Sequence, residues 1–152
     1  HSFPKCPLPY EIDQRENRPE ICIGTDEFHT PTQLIEQVFT LFLKEGFNVE
    51  INRPFSGSMV PAEHYQKNKK VRSVMIEVRK DMYMDEVTGI KTKQFGETKR
   101  FIKQTLDDLR SFERPVSDIP SKGRIFDFNY ISCFHILNNS FFLYLVKILS
   151  TN

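Results

Sequence analysis

Cysteine is scarce in this chain: Cys6, Cys22 and Cys133 are all it has in 152 residues. An odd number with no C-x-x-C pair signals neither a disulfide framework nor a cysteine zinc site, so reduced thiols and a cytoplasmic setting are expected. Net charge is nearly absent as well. A formal charge of +1 argues against nucleic acid or a membrane surface as the main partner. The basic stretch 66–72, "QKNKKVR", reads as a solvated loop running into a strand. No clean apolar run reaches the roughly 18 residues that mark a membrane helix. The nearly uncharged stretch 130–150, "YISCFHILNNSFFLYLVKILS", comes nearest, but His135, Asn138, Asn139 and Lys147 interrupt it. It reads as a buried helix, a strand pair or a poorly folded tail rather than a membrane span, with His135 as a packing residue. Also missing are a signal peptide and an initiator methionine; the chain starts at His1, as a fragment or trimmed product would. H-E-x-x-H, G-x-G-x-x-G, P-loop and G-x-S-x-G motifs are all absent, and "PFSGS" (54–58) lacks the second glycine spacing of a nucleophile elbow. Asn138-Asn139-Ser140 matches a glycosylation sequon, a pattern frequent by chance.

What is present has an ordinary globular balance, 39% hydrophobic and 27% charged, enough for one domain with a real core. Residues 1–20, rich in proline and charge, read as an irregular loop. "ICIG" (21–24) is a short apolar run ended by glycine, a candidate buried strand. A helix is predicted over 31–45, with Thr30 as N-cap, Pro31 in the first turn and Gly46 just past the end. Its inward stripe is Leu34, Ile35, Val38, Leu41 and Phe42. "FNVEI" (47–51) follows at once as a strand, close enough to be a parallel crossover neighbour of 21–23. A third strand is expected over 71–79, a turn with flanking short strands over 85–94, and a second helix over 96–112. This order is the grammar of an α/β layered domain with a mixed sheet. After Phe112 the composition changes, since seven of the 41 charged residues lie there. We therefore divide the chain into 1–112 and an unassigned apolar tail, 113–152.

One carboxylate stands out within a strand. Along 73–79 Glu77 shares a face with Ser73, Met75 and Arg79, while Val74, Ile76 and Val78 point the other way. Two readings are open: a solvent-facing acid paired with Arg72 or Arg79, or a base facing a cleft. His29, just before a helix, and His64, in a polar loop, read as surface residues rather than ligands.

Four blocks, "HSFP" (1–4), "ICIGTDEFHTP" (21–31), "GFNVEINRPFSG" (46–57) and "VMIEVRKDMYMDE" (74–86), resemble in order and spacing the C-terminal half of N-formylglutamate amidohydrolases. The resemblance runs from residue 1 to about 112; the tail matches nothing. It implies a three-layer α/β/α fold of the zinc carboxypeptidase type, here as a partial domain. It also implies zinc as cofactor, His1 as a zinc ligand and Glu77 as general base. The substrate would be a small N-acyl amino acid, N-formyl-L-glutamate in the first instance. Its two carboxylates call for arginine forks, and the candidates are Arg53 and Arg79, with Asn52 beside them and Tyr83 closing over the site. In that group a paired histidine and glutamate complete the metal site from a half with no counterpart here, which implies a chain inert on its own. Other readings are an amidohydrolase for another N-acyl amino acid and a non-catalytic remnant or binding module. Oligomeric state is left open.

Overall fold

The computed structural model describes residues 1–112, 130–137 and 140–148. Its elements are β1 (Ser2–Phe3), β2 (Ile21–Gly24), α1 (Thr32–Lys44), β3 (Val49–Ile51), β4 (Val71–Arg79), a 3-10 turn (Lys80–Met82), α2 (Phe95–Phe112), β5 (Tyr130–Leu137) and β6 (Ser140–Ile148). The strands form one mixed sheet in the order β3-β2-β4-β6-β5, with β1 also paired to β4. The expected parallel crossover is present: Ile21, Cys22 and Ile23 lie beside Val49, Glu50 and Ile51. β4 runs antiparallel to β2, setting Cys22 opposite Glu77, and parallel to β1. The apolar tail provides two antiparallel strands, with β6 paired to β4. The sequon asparagines and the side chain of His135 fall outside the described residues. No helix among the described residues is long and apolar enough to cross a membrane.

Strand pleat and register separate two faces. Ile21, Ile23, Val49, Val74, Ile76 and Val78 meet Leu34, Val38 and Phe42 of α1 and Ile102, Leu106 and Leu109 of α2 in one buried core. This is the α/β fold expected. Among the described residues both helices pack on that face, and loops cover the other.

Three local expectations are corrected. Thr30 does not cap α1: the capping position is Pro31, in extended conformation, and the Thr30 hydroxyl donates instead to the Ser73 carbonyl at 2.7 Å. The 85–94 segment makes a single bridge, Met84 to Lys91, rather than two strands. His29 is a core residue, fully buried. Its Nε2 accepts the Gln66 N–H at 2.9 Å, so Nδ1 is the protonated nitrogen and donates to the Val71 carbonyl at 2.7 Å. Both nitrogens are committed to tying the 26–30 turn to the entry of β4, which leaves neither for a metal.

Candidate active site

His1 is placed by backbone pairing. Its nitrogen donates to the Ile76 carbonyl at 2.8 Å and its carbonyl accepts the Val78 N–H at 3.1 Å. Those bonds put its side chain on the loop face of β4, two residues before Phe3, where its Nδ1 lies 3.4 Å from Glu77 Oε1. The Glu77 side chain is 5% exposed and that of His1 41%. Glu77 is therefore neither solvent-facing nor paired with an arginine, because the 1–18 and 52–60 loops cover the face that the strand pattern leaves open.

Burial raises the Glu77 pKa; the neighbouring His1 opposes that shift and the nearby Glu11 carboxylate adds to it. Among the described residues its Oε2 is buried with no hydrogen-bond partner. Cys22, opposite Glu77, gives its Sγ hydrogen to the Phe55 carbonyl at 3.1 Å, and burial pushes its thiol pKa up to about 12. That thiol is no nucleophile.

Further residues of this face had no sequence signal. Arg18 is buried, pairs with Glu11, and donates to the carbonyls of Pro4 and Asp13 at 3.2 and 3.1 Å. Its guanidinium lies 5.9 Å from the Phe3 ring centre, which is itself edge-on to Phe55. Asp13 binds Arg15 and, at 2.9 Å, Arg53 Nε; Glu50 takes a second Arg53 nitrogen. Glu11, Asp13, Arg15 and Arg18 sit in a segment whose composition says only "loop", and Asp13 meets Arg53 across 40 residues.

The other predicted residues do not converge on one point. Arg53 is held by Asp13 and Glu50. Arg79 is held by Asp81 and the Arg18 carbonyl, each at 2.7 Å. Asn52, at φ 56°, bonds Thr25 through its amide and lines a separate groove. Tyr83 is fully buried in the helix-side core, edge-on to Phe95. It packs there because the 3-10 turn after β4 sends the chain towards α2, so it does not close over Glu77. For zinc the fit is incomplete. No group of three His, Cys, Asp or Glu residues that could hold a metal occurs among the described residues, whereas catalytic zinc takes three protein ligands.

Fold and site together define an α/β protein with a buried carboxylate and an imidazole side by side on the loop face of a mixed sheet. The family model for N-formylglutamate amidohydrolase matches residues 1–84, more than half of the chain. The chain belongs to that family. Among solved structures it is similar to the crystal structure of N-formylglutamate amidohydrolase from Ralstonia eutropha JMP134, at 23% identity and a TM-score of 0.58. That likeness is one of fold; it covers 73% of this chain and 42% of the other, so the chain spans under half the length of that enzyme. No curated protein matches.

Proposed function

We propose that this chain carries the base-bearing part of an amidohydrolase site that hydrolyses the formyl amide of N-formyl-L-glutamate to formate and glutamate. The observation that carries the reading is the buried Glu77 carboxylate beside the partly exposed His1 imidazole. A carboxylate whose pKa is raised by burial titrates closer to neutrality, where a general base works best. Glu77 takes a proton from water as its oxygen adds to the formyl carbon. It returns that proton to the amide nitrogen as the C–N bond breaks, so one water is consumed and the base is regenerated. Arg53 and Arg79 are the proposed anchors for the substrate carboxylates, in exchange for or alongside their present partners. His1 is proposed to give zinc one imidazole ligand. Because the described residues do not complete such a site, the chemistry assigned to them is proton transfer alone.

The test is formate release from N-formyl-L-glutamate by this segment joined to the rest of the family's domain, with Glu77→Gln as the variant. Losing a general base lowers turnover by about 100- to 10,000-fold, with the circular dichroism spectrum and metal content unchanged. A folded, metal-loaded variant with near-wild-type turnover refutes the assignment.

A further inference from the structure

A groove of about 1090 Å³ opens where β2 and β3 end and α1 begins. Arg72, which lines it, projects from the same face of β4 as Val74, Ile76 and Val78, opposite to Glu77. Gln66 and Lys69 belong to the same wall, and the Lys69 ammonium lies 5.4 Å from the centre of the Phe28 ring. Two acids share the groove. Asp26 already accepts the N–H groups of Phe28 and His29, at 3.0 and 2.9 Å, and Glu27 is exposed. Arg72 is half-buried, yet among the described residues it has no carboxylate partner. A partly desolvated guanidinium calls for an oxyanion that fits its fork.

We propose that this groove is a binding subsite for a small carboxylate, with Arg72 as its fork and Lys69 as a second cation, separate from the His1–Glu77 face. Carboxylate is favoured over phosphate because a carboxylate group brings a single charge beside Asp26 and Glu27, with the second charge of a dicarboxylate on a separate group free to meet Lys69, whereas a phosphate group concentrates its charge at one point. The proposal stands apart from the amide-hydrolysis reading and survives its failure. It is tested by titrating the ¹⁵N-labelled 152-residue chain with succinate at constant ionic strength, using chloride and inorganic phosphate as comparison anions. The expected result is saturable shifts confined to amides of 25–28 and 66–72. Arg72→Gln should weaken binding about tenfold or more, Arg72→Lys less, and Lys69→Gln several-fold. Phosphate should bind more weakly than succinate. Equal response to chloride, no saturation, or unchanged affinity in the variants overturns the site, and phosphate binding as tightly as succinate overturns the ligand class. Lys69 is exposed on a turn, so Lys69→Gln and the native titration decide the matter even if Arg72→Gln unfolds.

Discussion

Along β4, Val74, Ile76 and Val78 point into a core closed by α1 and α2, whereas Ser73, Met75 and Glu77 point into a layer closed by loops. Both sets are buried, by different means. On the helix side, burial of apolar surface is non-directional and any well-packed side chain of the right volume contributes. On the loop side, polar atoms are matched one by one. The Ser73 hydroxyl donates to Met59 at 2.7 Å, the Cys22 thiol to Phe55, and Asp13 holds Arg53. Glu77 Oε2 and Arg18 Nε are left without partners among the described residues. Such atoms are costly to bury, and these two lie on the face that carries the candidate chemistry. One face is held by apolar packing, the other by individual polar contacts.

The sharpest way to break this contrast is to remove one side chain from each face. Phe42→Ala should cost about 3–5 kcal/mol in urea unfolding. Glu77→Gln, which trades an ill-solvated acid for a neutral isostere, should change stability by no more than about 1 kcal/mol. A Glu77→Gln cost equal to that of Phe42→Ala would show the loop face to be structural.

Gly24 tests how tightly the loop is seated. A Cβ built there would clash with the Gly57 carbonyl oxygen and the Met75 side chain, so Gly24→Ala must push the loop off the sheet, at about 1–3 kcal/mol. Unchanged stability together with unchanged Cys22 protection would mean that the loop is not in firm contact.

A smaller effect is expected from Asp13. Its hydrogen-bonded partner Arg15 first, and Arg53 with it, hold this carboxylate well below the usual range. A depressed folded pKa adds stability above the unfolded value of about 3.9, and that stability disappears as pH falls through the folded value. Asp13→Asn should therefore lower Tm near neutrality and flatten its decline below about pH 4. Parallel Tm–pH curves for the two proteins would count against the clamp.

Smallest in energy is a labelling contrast. With its pKa near 12 and its side chain covered, Cys22 should stay unalkylated by iodoacetamide at pH 8 while the exposed Cys6 reacts. Peptide mass spectrometry reads both sites at once, and comparable rates would mean that the loops open readily.

Legibility in the sequence follows the same division. Both helices and strands β2, β3 and β4 were readable because period and punctuation are local: Gly46, at φ 86°, ends α1 where the pattern puts it. The face of Glu77 was readable too, from alternation alone, but its burial was not. Pleat tells which residues share a side and not whether loops distant in sequence will cover it. His29 misled for the same reason, its two partners lying 37 and 42 residues away. Tyr83 misled because a motif-adjacent aromatic carries no signal of which side of a sheet the following turn will take. The pairing of His1 with Glu77 came from the family resemblance and not from periodicity.

The backbone bond from His1 to Ile76 spans 75 residues, while β2, α1 and β3 all fall between residues 21 and 51. Closing a long loop costs more entropy than closing a short one, and distant contacts form late. The β2–α1–β3 unit can therefore assemble first, and the imidazole meets the carboxylate only once β4 and β1 are in register. A slip of one residue in β1 would turn His1 to the opposite face. Two ladder residues thus act as a check on assembly: a chain that has collapsed but misaligned β1 would hold its core and lack its acid–imidazole pair.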